Sequence, residues 1–255
     1  MTLKELDEYF KSFLHPENFS SDPSRNGIQI QNSEPLTKEI KKIAFAVDAC
    51  QESALKAAEE GADLLFVHHG LFWGDCEVLT GSFYKRISQF IKNDLALYAM
   101  HIPLDANNPY GNNYGLAVRL GLKNTETFGQ WRGMFLGVKG ELSEPLTVEE
   151  LAEKVLNPGE KPLCILPFGK DKITTVGIIS GGADDDVGQA VEEGLDAYIT
   201  GEMSHQLYHY VKESKINMIS AGHYQTETVG VNLIAKKVRE ELNIETVFID
   251  IPTHL

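Results

Sequence analysis

Two periods of apolar residues alternate along this chain. Leu3, Leu6, Phe10, Phe13 and Leu14 recur at helical spacing, and Thr2 with Glu5 makes a capping-box pattern, so residues 2–14 read as an amphipathic helix. Residues 16–35 are rich in turn formers and include Asn26-Gly27. Short apolar runs then take over. The pattern predicts a strand at 43–47, a helix at 51–60 capped by Gly61, a strand at 63–67 that runs into His68-His69-Gly70, and a helix at 82–92. A strand at 95–100 follows, then His101-Ile102-Pro103-Leu104-Asp105, then a helix at 112–120 capped by Gly121. Strand and helix alternating at this spacing predict a parallel sheet with crossover helices. In such sheets ligands bind at the carboxyl ends of strands, where His68, His69, His101 and Asp105 fall.

Residues 122–172 have another rhythm: a strand at 134–138, a helix opened by Thr147-Val148-Glu149-Glu150, a strand at 163–168, and Pro145, Pro158, Pro162 and Pro167 as punctuation. This segment is expected to be a smaller α+β lobe inserted into the first domain or, alternatively, to complete the sheets of the two lobes. The first rhythm then returns. Strands are predicted at 176–180, 196–200, 216–220 and 246–250, with helices at 184–193, 204–212 and 226–242. The expected architecture is therefore α/β, with two similar β-α-β-α-β units at 1–121 and 173–255 around a middle segment at 122–172.

The two outer segments resemble each other. Ala57-Ala58-Glu59-Glu60-Gly61-Ala62-Asp63 aligns with Ala190-Val191-Glu192-Glu193-Gly194-Leu195-Asp196 at an offset of 133, which sets His68 and His69 on Gly201 and Glu202. Further on, His101-x3-Asp105 matches His223-x3-Glu227 at an offset of 122. Together these predict a duplicated unit whose halves face each other across one site.

Composition narrows the function. The chain has 255 residues, 42% of them hydrophobic, and no uncharged apolar run of the length that crosses a bilayer. Residues 1–5 lack the order of a signal peptide. The three cysteines, Cys50, Cys76 and Cys164, form no CxxC, which points to the cytoplasm and away from a thiolate zinc site. A formal net charge of −14 and the absence of a basic run disfavour a nucleic-acid partner. Asp184-Asp185-Asp186 reads as a solvated helix start.

The chemistry-bearing residues are His68, His69, His101, Asp105, His223 and Glu227. Adjacent imidazoles diverge, so His68 and His69 suit two different ions better than one. His223 and Glu227, at i and i+4 on a helix start, share a face. Nitrogen and carboxylate donors without sulfur suit zinc, manganese, iron, cobalt or nickel. Each residue also has a plainer reading. One of the paired histidines can end the strand while the other faces water, and His101 can orient a ligand rather than be one. Asp105 can be a turn residue, and Glu227 a first-turn helix acid. Ser180-Gly181-Gly182 looks like a phosphate loop, but no Walker lysine or GxGxxG accompanies it.

Val67-His68-His69-Gly70, His101-x-x-Leu104-Asp105, Thr200-Gly201-Glu202 and Gly222-His223-Tyr224-x-Thr226-Glu227 resemble the YbgI-like, or Nif-three-like, family, whose members are labelled GTP cyclohydrolase I type 2 homologues. The resemblance implies two divalent metal ions held by His68, His69, Asp105, His223 and a bridging Glu227. His101 and Glu202 would line the site as catalytic groups, with His205 a more distant neighbour, and the assembly would be a toroidal homohexamer. Arg25-Asn26-Gly27-Ile28-Gln29 departs from the family's usual Asn-x-Gly-Leu. Two functions compete: a dinuclear hydrolase acting on a small polar substrate such as a nucleotide, and a metallochaperone delivering iron or another divalent ion. Purely structural metals fit less well, because five ligands for two ions leave open positions.

Overall fold

The computed structural model describes residues 1–255 as a mixed α/β protein with two sheets. The chain divides into two compact units, Met1–Leu104 with Val231–Ile251, and Asp105–Gly230 with Pro252–Leu255.

The first unit is built on a five-stranded sheet of order β1-β4-β3-β2-β11. Its strands are β1 (Gly27–Ile30), β2 (Lys42–Asp48), β3 (Leu64–His69), β4 (Ala96–Ala99) and β11 (Glu245–Phe248). All are parallel except β1, which pairs antiparallel with the edge of β4. Strands buried on both faces read as continuous apolar runs, and β3 is buried from Leu64 to His68. One face, with Leu65, Val67, Leu97 and Ala99, packs with Ala54 and Ala57 of α2 (Gln51–Glu59) and Ile87 and Phe90 of α3 (Gly81–Lys92). On the other face Phe66 and Tyr98 meet Phe10 of α1 (Leu3–Leu14), at ring distances of 5.0 and 4.9 Å. The Thr2–Glu5 capping box is present, and Leu3, Leu6, Phe10 and Leu14 are buried. At about 1.5–3 kcal/mol for each large side chain, that burial rather than propensity holds a helix of this length.

The second unit carries a six-stranded sheet of order β5-β6-β8-β9-β10-β7. Its parallel centre is β8 (Ile173–Ile178), β9 (Ala197–Thr200) and β10 (Asn217–Ser220), connected by α7 (Val187–Glu192) and α8 (Leu207–Ser214). Residues 122–172 do not form a lobe of their own. The β5 (Lys123–Trp131) and β6 (Met134–Leu146) hairpin extends the sheet beside β8, and β7 (Cys164–Pro167) closes the far edge on β10. An edge hairpin buries little of its own surface and needs the neighbouring strand, which explains why the segment joins this sheet. The unit also starts at Asp105, within α4 (Ile102–Ala106), rather than near residue 173, because α5 (Asn112–Leu120) and α6 (Val148–Val155) pack on it. No helix is long and apolar enough to cross a membrane.

Both parallel cores carry the same clasp. Asp63 Oδ2 accepts from the backbone N–H of Lys41 and Lys42 at 2.8 and 3.3 Å; Asp196 Oδ2 accepts from those of Thr174 and Thr175 at 2.9 and 3.2 Å. All three pairs stand 133 apart (196 − 63, 174 − 41, 175 − 42). At the third strand the register departs from the expected offset of 122. Leu64 pairs with Ala96 and Ala197 with Asn217, so the offset there is 121 (217 − 96). His101 therefore falls on Gly222, one residue short of His223. His101 precedes the helix that starts at Ile102, whereas His223 is the first residue of the helix 223–242, so the two do not occupy equivalent positions.

Three further readings change. Asp184 is buried, not solvated, and accepts from the Ser204 N–H at 2.6 Å. The helix expected at 184–193 splits into one 3₁₀ turn (Asp184–Asp186) and the short α7. His68 and His69 are the last two residues of β3, not the residues after it.

Candidate metal centre

Three imidazoles gather in the first unit. Their donor nitrogens, one each from His68, His69 and His101, lie within 4.8 Å of one another. The expected divergence of His68 from His69 does not occur. At the strand's end the two rings sit 4.5 Å apart, inclined by 44°.

Each ring is held from behind. His68 Nδ1 donates to the Met100 carbonyl at 3.1 Å, His69 Nδ1 to Asp48 Oδ1 at 2.9 Å, and His101 Nδ1 to Asp22 Oδ1 at 2.9 Å. A carbonyl or carboxylate oxygen only accepts, so the proton of each neutral ring is on Nδ1 and the electron pair is on Nε2. This is the arrangement that prepares imidazole for a metal. Asp22 is fully buried as a side chain and also accepts from Ser24 N–H, Asn26 Nδ2 and Ile102 N–H. Burial alone would raise its pKa, but the hydrogen bond and charge of His101, with Asn26 and Ser24, hold it below the ordinary carboxylate value.

Neither supporting carboxylate was among the sequence candidates. Asp48 had a usable signal. It ends β2 directly opposite His69 in the parallel register, so an acid at the end of the neighbouring strand is a ready partner. Asp22 lies in an irregular segment 79 residues before His101 and had none. The unusual 25–29 stretch also does structural work. Asn26 Oδ1 accepts from the His101 N–H at 2.8 Å, and Gln29 Oε1 accepts from Leu71 and Phe72 N–H at 2.7 and 3.3 Å, just past His69.

The second unit assembles the other candidates. His223 opens α9 (His223–Leu242), with Nε2 3.2 Å from Glu227 Oε1 one turn on and Nδ1 2.5 Å from Glu202 Oε1. Burial disfavours the charged ring, but hydrogen bonds and charge from Glu227 and Glu202 outweigh it and raise the pKa to about 9. His223 is thus a proton held between carboxylates, a place a divalent cation can take over with release of that proton. Asp105 and Glu227, both buried, bring carboxylate oxygens within 4.8 Å of each other. Asp105 Oδ1 accepts from Asn112 Nδ2 at 2.9 Å and Ser180 Oγ at 2.8 Å, and Asn112 Oδ1 accepts from the Gly230 N–H. Ser180-Gly181-Gly182 is therefore a support for the acids rather than a phosphate loop. Gly181 has φ +68°, and a Cβ there would stand 2.3 Å from Glu227 Oε1 and 3.2 Å from His223 Nε2. His205 is exposed on the turn before α8, outside the donor groups.

Nitrogen and oxygen donors, preset tautomers and the side-chain-free space at Gly181 all fit divalent transition ions. The model of Duf34/NIF3 (NGG1p interacting factor 3) matches residues 1–254. The chain belongs to this family. Among Duf34/NIF3 relatives, the GTP cyclohydrolase 1 type 2 homolog of Treponema pallidum is 42% identical over 287 residues, covering 99% of each chain. The homolog of Archaeoglobus fulgidus is 40% identical over 255 residues, covering 100% of both. The solved structure of protein ybgI, described as of unknown function, matches at TM-score 0.90 and 33% identity over 100% of each chain.

Proposed function

We propose that the protein is a dinuclear-metal-dependent hydrolase acting on a small polar substrate, with a nucleotide as the first class to test. The observation that carries this reading is the common presetting of the three imidazoles, each with Nδ1–H spent on an oxygen. This makes Nε2 the donor atom of each neutral ring, as is usual where histidine ligates a metal through that atom. His68, His69, Asp105, His223 and Glu227 would hold two divalent ions of the zinc, iron, manganese, cobalt or nickel group, with Glu227 as the bridge. The family label and the donor chemistry of each unit support this set. When bound, the ions would supply Lewis acidity toward water and the electrophile. His101, oriented by Asp22, would take and return a proton at Nε2. Glu202 would receive the proton that His223 Nδ1 holds. The matching Asp63 and Asp196 clasps support descent of both parallel cores from one duplicated unit. The homohexamer and the cytoplasmic location remain expectations of the family resemblance and the cysteine pattern; a hexamer would show six times the 28.3 kDa chain mass in solution.

The test is metal content per chain after chelator-free purification, for the wild type and His68→Ala, followed by a nucleotide panel with the metal found. Two ions per chain, lost in the variant, and turnover would establish the reading. A wild type that neither carries nor takes up zinc, manganese or iron would overturn it. One observation favours the metallochaperone alternative: three imidazoles are complete within one unit, so an ion can be held without the acids. Exchangeable metal with no turnover would select it.

A further inference from the structure

The turn that follows β3 sorts its apolar side chains. Leu71 is buried, and Phe72 packs against the core of the first unit, edge-on to Phe83 at 5.6 Å. Trp73, the largest of the three, is left 38% exposed. An indole in water forgoes more burial than most side chains, so one held outward by its surroundings calls for a reason.

It is held firmly. Nε1 donates to the Gly70 carbonyl at 2.9 Å, and the ring meets His101 edge-on at 4.9 Å and 80° and lies 6.1 Å from His69. The Trp73 backbone bridges to Ser24, and its carbonyl accepts from the Asp75 N–H at 2.7 Å. On either side, the Phe72 carbonyl accepts from the Arg25 N–H at 3.0 Å and the Gly74 carbonyl from Arg25 Nη2 at 2.7 Å. Gly74, at φ +65°, leads the chain onward through the left-handed region that a glycine enters freely. With its only donor bonded internally, the indole has no polar group left for a ligand and offers its π face alone. A fixed aromatic also loses little freedom when a ligand lies on it. A planar ring gains from such a face whatever its hydrogen-bonding edge, which is how proteins hold single bases. The place is the carboxyl end of β3 and β4, where parallel sheets take ligands.

We propose that Trp73 is the substrate-stacking residue of this protein: a planar heteroaromatic ring of the nucleobase class lies against the exposed indole, next to His101. The chemistry done on the bound ring rests on the hydrolase reading; the stacking itself needs residues of the first unit alone. Selection is for planarity, because the indole gives a bare sugar phosphate no donor.

The test uses the full chain, purified without chelator, with Trp131→Phe so that Trp73 is the only tryptophan. Its fluorescence is titrated with GMP, AMP and UMP, and with ribose 5-phosphate as the probe that lacks the base. At least one nucleotide should quench Trp73 saturably, and ribose 5-phosphate should not. Trp73→Leu keeps apolar bulk without a π face, and should weaken binding of that nucleotide by about 5–150-fold in calorimetry. Trp73→Phe should restore most of the affinity; a residue that only packs against His101 would be replaced as well by leucine as by phenylalanine. No quenching by any nucleotide, equal quenching by ribose 5-phosphate, or equal affinity in Trp73→Leu and wild type overturns the proposal. Should either variant fail to fold, oxidative footprinting of the wild type decides. The nucleotides must protect Trp73 where ribose 5-phosphate does not, and absence of that protection overturns the proposal. The hydrolase reading fails separately. Quenching on a chain that carries no metal and turns nothing over would sink that reading and leave the stacking in place. Nucleotide turnover with an unchanged KM in Trp73→Leu would do the reverse.

Discussion

Strands β3 and β9 start from the same clasp and end in opposite ways. Asp63 and Asp196 tie down equivalent backbone 133 residues apart. At the same offset, His68 and His69 correspond to Gly201 and Glu202. In the first unit the strand end fills with imidazole. In the second it is emptied: a Cβ on Gly201 would come within 2.7 Å of His223 Cα and 2.9 Å of its nitrogen. The missing side chain lets the start of α9 approach, and the candidate donors His223 and Glu227 come from that helix instead. The two strand ends are equivalent in the frame, while one position decides whether the strand or the helix supplies the side chains there.

Breaking the emptied end should have the largest effect. Gly201→Val sets a branched side chain against backbone on both sides, and a loss of about 3 kcal/mol or more is expected in urea unfolding. The counterpart change, His68→Gly, makes no clash. It should cost clearly less stability yet abolish metal uptake, and equal destabilisation by the two would refute the contrast.

Next come the groups behind the rings. Asp48→Asn and Asp22→Asn leave the Nε2 donors in place, and each should weaken cobalt or zinc binding by about 10–100-fold. Competition against a chromophoric chelator measures this; an unchanged affinity would reduce both acids to packing.

The clasp itself sharpens the comparison through pH. Asp196 also takes Thr174 Oγ1 and Lys170. Burial opposes its charge, but these hydrogen bonds lower its pKa from 3.8 to about 2. The unfolded chain binds that proton first. The stabilisation is therefore complete above about pH 4 and disappears as pH falls through 2. Asp196→Asn should cost about 1–2 kcal/mol at pH 7 and progressively less in acid, as denaturant midpoints across pH 2–7 would show. A pH-independent difference would contradict it.

The smallest effect is at the caps. Thr2→Ala and Thr147→Ala each remove a reciprocal capping box and should each lower stability by about 1 kcal/mol. Equal thermal shifts are expected, since neither box touches a donor.

Why some of this was legible and some not follows from where the information lies. The capping boxes, the α5 boundaries and the strand ends carrying histidine are local patterns, and the sequence displays them. Strands β1 and β5 escaped notice because edge strands need no apolar alternation: β5 opens Lys-Asn-Thr-Glu-Thr, exposed throughout. The middle segment looked independent for the same reason, its pairing partner β8 lying beyond it in the chain. Residue type pairs His101 with His223, whereas the hydrogen-bond register pairs Met100 with Ala221 through their bonds to Val67 and Thr200, one residue out of step. The candidate donors stand out in the sequence by residue type, whereas the groups that hydrogen-bond to them do not. Asp22, Ser180 and Asn112 reach their partners only through the fold.

The carboxylates behind the imidazoles bear on the proposed function in one more way. Asp22 and Asp48 present a negative field at the three imidazoles, in a chain already carrying a formal charge of −14. Such a field draws cations from a distance and turns phosphate or carboxylate away. On the proposed function, an anionic substrate would meet repulsion at the bare protein and attraction only after cations had bound, since a bound ion becomes the largest local charge. Metal first and substrate second would then be a sequence imposed by electrostatics, with no moving part required to enforce it.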